Sequence, residues 1–131
     1  MTSIEIPNSV TTLGDFVFEK CTKLTSVTFA EGSVLESVGA GAFEQCTSLT
    51  SIDVPNSVQN IGSNAFYACS NLSNVSFGEN SELTAIGSGA FEDCSSLQTI
   101  VFDGSEDEWN AISFGDDWDY GTGAYTVVFT R

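Results

Sequence analysis

Four cysteines are the most reactive side chains of this 131-residue chain, and their spacing limits the chemistry that they can do. Each follows a phenylalanine by three residues, and they recur 25, 23 and 25 residues apart at Cys21, Cys46, Cys69 and Cys94. Zinc and redox motifs instead place cysteines a few residues apart. The common period therefore predicts a ladder of small apolar side chains. Disulfides between neighbouring units stay an alternative, although residues in register lie farther apart than the roughly 3.8 Å Cβ separation that a disulfide prefers.

The residue types that usually carry out catalysis are missing from the sequence. There is no histidine, which removes the usual general base of a Ser or Cys triad. The sequence also has no G-x-x-x-x-G-K-[ST] or G-x-G-x-x-G motif to hold a phosphate. We therefore expect a protein without enzymatic activity and without a cofactor.

An acidic segment near the C-terminus is the best metal candidate. It carries the carboxylates Asp103, Glu106, Asp107, Glu108, Asp116, Asp117 and Asp119. Oxygen ligands on glycine-containing loops suit Ca²⁺, but D-D-W-D-Y-G-T-G lacks the residue order of an EF-hand. The sequence favours a solvated acidic loop, with Asp116, Asp117 and Asp119 as weak calcium ligands.

The charge balance excludes several classes of partner. Eighteen acidic residues against three basic ones give a net charge of −15. Nucleic acids and anionic membrane surfaces bind through lysine and arginine, so both are disfavoured. No apolar run reaches the roughly 20 residues of a membrane helix, so we expect no membrane insertion. The N-terminal segment MTSIEIPNSV has neither a basic nor an apolar region, so we expect no signal peptide.

The chain repeats itself, and this repetition positions every residue named above. Four full units cover residues 1–23, 24–48, 49–71 and 72–96, followed by a strand at 97–102 and a C-terminal cap at 103–131. A fixed period near 23 residues predicts a solenoid. Met1 stands where later units begin with leucine, which fits a trimmed array, a designed array or a protein without an N-terminal cap.

Each unit combines a short strand, a glycine and a compact turn. In unit three, Ile52 and Val54 flank Asp53 as in a strand with one buried face, and Pro55 ends that strand. A glycine follows, explained by a positive φ or by close approach to a neighbouring unit. The S-x-x-A-F-x-x-C segment predicts one helical or 3₁₀ turn. Its phenylalanines predict a stacked aromatic column at Phe18, Phe43, Phe66 and Phe91.

The pattern L-x-S-I-x-x-P-x-S-V-x-x-I-G-x-x-A-F-x-x-C resembles the BspA-type, or Treponema pallidum-type, leucine-rich repeat of bacterial surface proteins. All four units over residues 1–96 carry it, and DGSEDEWNAI at 103–112 resembles a segment that closes such arrays. The resemblance implies a curved right-handed leucine-rich-repeat solenoid with short parallel strands on one face. It also implies protein binding or adhesion, and an extracellular or cell-surface location.

Residues beside the buried strand positions should point outward and form the candidate binding surface. The central ones are Ser26, Thr28, Ser51, Asp53, Asn74 and Ser76. Extended faces of repeat proteins commonly bind partners, although this stripe of small hydroxyl groups fits a solvated face equally well. Exposed aromatic residues are further candidates at Tyr67, Trp118 and Tyr120, with local packing as the alternative.

The two ends of the array depart from the repeat. Phe16 and Val17 stand where later units have the pairs Gly41–Ala42, Asn64–Ala65 and Gly89–Ala90. They either cover the open end or form a homodimer contact, and truncation from a longer array is equally compatible with them. At the other end, Ser105 and Glu108 have the spacing of a helix capping box, and AYTVVFT predicts a last strand. We expect Trp109, Ile112 and Phe114 to cover the last unit.

The leading functional interpretation is a non-catalytic protein-interaction or adhesion module of a bacterial surface or secreted protein. The alternative is a structural spacer or designed repeat scaffold without a ligand of its own.

Overall fold

The computed structural model describes residues 2–130, and the prediction that Met1 occupies the leucine position lies outside them. Within this range the elements in chain order are β1 (Ser3–Ile6), β2 (Thr12–Leu13), β3 (Ser26–Phe29), β4 (Ser37–Val38), β5 (Ser51–Asp53), β6 (Asn60–Ile61), β7 (Asn74–Ser76), β8 (Ala85–Ile86), β9 (Thr99–Phe102), α1 (Glu106–Asn110), β10 (Ser113–Phe114) and β11 (Thr126–Phe129). All strand pairs are parallel, and the chain is a solenoid of about five turns, as the repeat predicts.

The strands form two ladders that run along the solenoid. The first contains the longer strands and is divided into two sheets, β1–β3 and β5–β7–β9–β11. The second is a continuous sheet of two-residue strands in the order β2–β4–β6–β8–β10. The sequence interpretation placed strands on one face only, and the second ladder is the addition that the structure makes. Two residues are too few for an alternating hydrophobic pattern to reveal them.

The predicted helical or 3₁₀ turn before each cysteine is wrong for units one to four. These segments are runs of tight turns in which alternate amides bond within the unit and across to the next one. Cys46 donates its amide to Phe43 O at 3.1 Å, whereas Phe43 donates its own to Ala65 O at 2.7 Å. Gln45 adopts a positive φ of 59° within the run. Since half of the amides serve the neighbouring unit, the i→i−4 bonds of a helix cannot form.

Close approach, rather than a positive φ, explains the recurring glycine before the runs of units two to four, whereas an added Cβ at Gly14 of unit one would meet no atom within 4 Å. A Cβ added at Gly62 would lie 2.6 Å from the backbone nitrogen of Ala40 in the preceding unit. No side chain fits at that distance, so the glycine lets successive units stack at the spacing that their ladder hydrogen bonds require.

The core is a stack of similar layers. The rings of Phe18, Phe43, Phe66 and Phe91 stack in sequence, with centroid separations of 5.4, 5.2 and 5.0 Å. This confirms the predicted aromatic column. The leucines that begin units two to five are also buried, namely Leu24, Leu49, Leu72 and Leu97. Each layer buries its apolar side only against its neighbours, as expected of a solenoid.

The C-terminal segment covers the last layer. Helix α1 begins at the Ser105–Glu108 capping box, as predicted, and buries Trp109 against Phe102 and Phe114. The backbone after β10 then stacks on the run of tight turns of unit four, because Phe91 donates its amide to Trp118 O at 2.7 Å. The predicted last strand is β11, which pairs with β9. The boundary at residue 103 stays a prediction, since the hydrogen bonds of the solenoid run across it.

Candidate functional site

The predicted outward-facing stripe lies along the first ladder. Thr28, Ser51, Asp53 and Asn74 are exposed, and Ser26 and Ser76 are half-buried. Parallel pairing aligns these residues in rows, so that Asp53 is level with Ser76. The hydroxyl of Ser76 donates to Asp53 Oδ1 at 2.7 Å, which holds the carboxylate over the sheet. The structure thus places the six predicted residues on the same side of the solenoid, on a surface that we call the sheet face.

The sheet face is interrupted between β3 and β5. A cleft of about 610 Å³ opens there, and Asp53 is the only one of its lining residues that carries a charge. Its walls are formed by Val27, Thr28, Phe29, Ala30, Gly32, Ser33, Asp53, Val54, Pro55, Asn56 and Gly78. Sequence reasoning placed Thr28 and Asp53 correctly but missed the cleft between them. Pro55, which has no N–H to donate, also lines the cleft.

The three candidate aromatic residues occupy different surroundings. Tyr67 is half-buried, and Tyr120 is 65% exposed in the terminal loop. Trp118 packs among aromatic rings, with centroids 4.7 Å from Phe114 and 6.2 Å from Phe91. Local packing therefore accounts for Trp118, whereas Tyr120 is free to contact a partner. A binding role for any of them stays a prediction.

The calcium candidates do not form a cluster. Within residues 2–130, no three carboxylate, cysteine or histidine side chains lie close enough to hold a metal ion. Asp119 instead accepts a hydrogen bond from the Tyr125 hydroxyl at 2.7 Å. Burial, together with this carboxylate, raises the pKa of Tyr125. Asp119 therefore anchors the terminal loop, with Asp116 and Asp117 nearby in sequence.

The cysteines form the predicted ladder, and all four are free. Cys46, Cys69 and Cys94 are fully buried, whereas Cys21 at the open end is half-buried. Burial raises the pKa of the Cys46 thiol to about 12. The neighbouring Cys94 thiol, and then burial, raises the pKa of Cys69. A neutral buried thiol is a poor nucleophile, so the structure gives these residues a packing role.

The N-terminal end exposes the apolar pair singled out in the sequence. Phe16 is 52% exposed and Val17 is 48% exposed. The Phe16 ring occupies the space where a Cβ of Gly41 would be, so unit two makes room for it. Phe16 thus partly covers its neighbour, and the homodimer hypothesis stays a prediction.

No described helix has the length and apolar character needed to cross a bilayer, within residues 2–130. A comparison with curated protein sequences gives no match.

Solved structures of bacterial repeat proteins resemble this solenoid closely. The pneumococcal vaccine antigen PcpA superposes with a TM-score of 0.86 at 26% identity, over 99% of this chain and 31% of that protein. A leucine rich cell surface protein from Faecalibacterium prausnitzii gives 0.78 at 32% identity, over 86% of this chain and 29% of its own. The T. pallidum leucine rich repeat protein superposes with a TM-score of 0.70 at 28% identity, over 98% of this chain and 59% of that protein. The chain thus spans less than a third of the first two relatives.

The sequence model of the BspA type leucine rich repeat region matches residues 1–117 with six copies, where sequence reading counts four full units and a further strand. The match covers most of the chain, and the parallel ladders and stacked core have the architecture that the family requires. The chain therefore belongs to the BspA-type leucine-rich-repeat family.

Proposed function

We propose that this array is a protein-interaction module of a bacterial surface or secreted protein, and that it binds through the sheet face. The observation that carries the proposal is the cleft beside Thr28 and Asp53, which lies where β3 and β5 form no ladder pair. A flat sheet lined with hydroxyl groups offers a partner few contacts, whereas binding sites are typically concave and bordered by a few polar groups.

The relatives support the location and the class of activity. One is a vaccine antigen and another a cell surface protein, and the leucine-rich-repeat fold generally binds proteins without catalysing a reaction. Adhesion is the form of binding that we propose for a module with this relationship. The expected absence of enzymatic activity also stays a proposal.

Capture by an immobilised array tests this function. The biotinylated chain is incubated with extracts of host extracellular matrix and of bacterial envelopes, and retained proteins are identified. The same capture uses a sheet-face variant with four changes, Ser26→Ala, Thr28→Ala, Ser51→Ala and Asp53→Asn. We expect a partner that the original chain retains and that this variant loses.

A matched variant controls for the number and kind of changes. Three hydroxyl groups and one carboxylate are altered on the turn side of the solenoid, with Thr22→Ala, Thr47→Ala, Ser70→Ala and Glu92→Gln. We expect this variant to retain the partner. A partner lost equally from both variants, or retained by neither the original chain nor the control, would favour the spacer interpretation.

A further inference from the structure

Strand β11 is the last strand of the first ladder, and one of its edges is open. Within residues 2–130 it pairs with β9 and with no second strand. Thr126 and Thr130 donate their amides to carbonyls of unit five, at 2.9 and 3.2 Å, so these alternate positions face β9. The amides and carbonyls of Val127 and Phe129 therefore point the other way, to the open edge. An edge of this kind can pair with a strand of another molecule.

The composition of β11 leaves this edge without the usual protection. Edge strands commonly carry a charged residue or a proline, which prevents pairing between molecules. The strand at the opposite end of the ladder, β1, carries the exposed Glu5, whereas β11 reads T-V-V-F and has neither a charge nor a proline. Of the two ends of the first ladder, the C-terminal end is therefore the better suited to take a further strand.

The core side of β11 is also incompletely covered. Val127 and Phe129 are level with Ile100 and Phe102 of β9. The two β9 residues are 0% and 3% exposed, whereas both β11 residues are only half-buried. At β9 the following strand completes the cover, so β11 lacks one apolar layer. A strand that brings its own apolar side chains to the core side would supply that layer.

A second copy of β11 meets both requirements when the two strands run antiparallel about a two-fold axis. With Val128 on the axis, Val127 of each copy exchanges both backbone hydrogen bonds with Phe129 of the other. This register pairs the backbone groups that the open edge presents. The side chains of Val127 and Phe129 then meet on the core side, and the two Val128 side chains, each 41% exposed, meet on the sheet face.

Charge acts on this pairing from a distance. The net charge of −15 makes any two copies repel each other. Strand β11 itself has no ionisable side chain, so the repulsion arises outside the paired strands. Repulsion between exposed charges is screened by salt, and the pairing should therefore strengthen as the salt concentration rises.

We infer that the chain forms a two-fold homodimer through antiparallel pairing of its β11 strands. The outward residues of both strands stay on one side of the joined sheet, so the sheet faces of the two copies point in the same direction. The dimer therefore presents two sheet faces to one surface, which increases avidity for a partner that is itself repeated. The contact lies at the opposite end of the solenoid from Phe16 and does not depend on the proposed function.

Disulfide trapping tests the register. In a Cys21→Ser background, which removes the half-buried native thiol, Val128→Cys and Thr126→Cys are compared with diamide as the oxidant. Position 128 meets its own copy with the Cα atoms about 4.5 Å apart, within reach of a disulfide. The two copies of position 126 lie about 13 Å apart. We expect a disulfide-linked dimer from Val128→Cys and not from Thr126→Cys, and equal trapping of both, or of neither, overturns the inference.

Sedimentation over a concentration series tests the association of the full chain. We expect a monomer–dimer equilibrium that high salt strengthens. Val128→Lys should weaken dimerisation at least about tenfold, because two lysines meet on the axis, although the change lowers the net negative charge. Val34→Lys makes the same change at another exposed valine and should dimerise like the original chain. Fluorescence of the buried Trp109 reports whether each variant folds.

Other outcomes identify a different contact and contradict the inference. Species larger than a dimer would indicate head-to-tail pairing of β11 with β1. A dimer that Phe16→Gly abolishes and Val128→Lys leaves intact would place the contact at the N-terminal end. A monomer at every protein and salt concentration would show that the β11 edge stays free. None of these results bears on the proposed function, which the capture experiment tests separately.

Discussion

The thiol of Cys69 donates a hydrogen bond to the carbonyl oxygen of Phe43, one unit earlier, at 3.1 Å. Cys46 and Cys94 make the same bond to Phe18 and Phe66, at 3.2 and 3.0 Å. These carbonyls lie inside the stack, where water cannot reach them, and a thiol is a small side chain that can satisfy them. The cysteine ladder therefore ties consecutive units together through weak but repeated bonds.

This arrangement predicts that only one thiol reacts in the folded protein. Cys21 is half-buried at the open end, while the other three are fully buried. We expect a disulfide-exchange reagent to modify Cys21 in native buffer and all four cysteines in denaturant. Cys21→Ser should abolish labelling of the native protein. Labelling of Cys46 at the same rate as Cys21 would contradict the burial argument.

The raised thiol pKa values predict that the protein loses stability in alkaline solution. The Cys46 thiol has its pKa raised by burial from 9.0 to about 12. Between these values the unfolded chain has released the proton and the folded chain retains it, so the free energy of unfolding falls as pH rises. Each such thiol contributes a slope of about 1.4 kcal/mol per pH unit.

Denaturant unfolding at a series of pH values on both sides of 9.0, the ordinary pKa of a cysteine thiol, measures this slope. The Cys46→Ala variant is the comparison, because it lacks the titrating group whatever its absolute stability. We expect a shallower alkaline decline for the variant. Identical slopes for the two proteins would show that the Cys46 thiol titrates alike in the folded and unfolded chains.

Two stacked carboxylates predict a stabilising substitution on the turn side. Burial, and then the charge of Glu19, raises the pKa of Glu44 above 4.5. A raised carboxyl pKa means that ionisation weakens the fold as pH rises through the titration range. Glu19→Gln should therefore lower the pKa of Glu44 and increase stability at neutral pH by a few tenths of a kcal/mol to about 1 kcal/mol.

NMR titration of the Glu44 side chain and thermal unfolding at neutral pH measure these two effects. The control is Glu92→Gln, since Glu92 occupies the same position in unit four with Tyr67 and Tyr120 in the adjoining units. We expect a smaller gain in stability from the control. An unchanged Glu44 titration in the Glu19→Gln variant would contradict the proposed repulsion.

Phe16 supplies a test of the homodimer hypothesis. Its φ of 57° is unfavourable for a residue with a side chain, so glycine at this position relieves about 1 kcal/mol of backbone strain. This offsets the lost contact with Gly41, and Phe16→Gly should remain folded. The hypothesis predicts that the original chain sediments faster with increasing concentration and that the variant does not.

The control for that experiment is another exposed apolar residue, Val34, which is 47% exposed in unit two. Val34→Ala should sediment like the original chain. Monomeric sedimentation of the original chain and of Phe16→Gly at all concentrations would eliminate the dimer contact.

The layers of this fold follow from the sequence because each buried residue recurs at a fixed period. The column from Phe18 to Phe91 and the capping box at Ser105 needed only spacing and residue type. The second ladder could not be predicted in this way, because a two-residue strand such as Asn60–Ile61 is too short to show a hydrophobic period. The runs of tight turns were predicted as helical or 3₁₀ turns. Half of their amides bond to the neighbouring unit, and the sequence of one unit does not reveal these bonds.

The candidate site follows from the sequence only in part, for a related reason. Alternation along β3 and β5 identifies Thr28 and Asp53 as outward-facing. The cleft between them lies where β3 and β5, which belong to different units, form no ladder pair. Pairing between neighbouring units is a property of the folded stack and cannot be read from either unit alone.

Site-specific photo-crosslinking tests the central claim, which is that partners bind the sheet face, most directly. A photoreactive phenylalanine analogue is placed at Ser51 on the sheet face, and separately at Glu92 on the turn side. Both chains are irradiated with the same envelope and matrix extracts. We expect a partner protein to be crosslinked from position 51 and not from position 92. Crosslinking from position 92 alone, or equally from both, would contradict the claim.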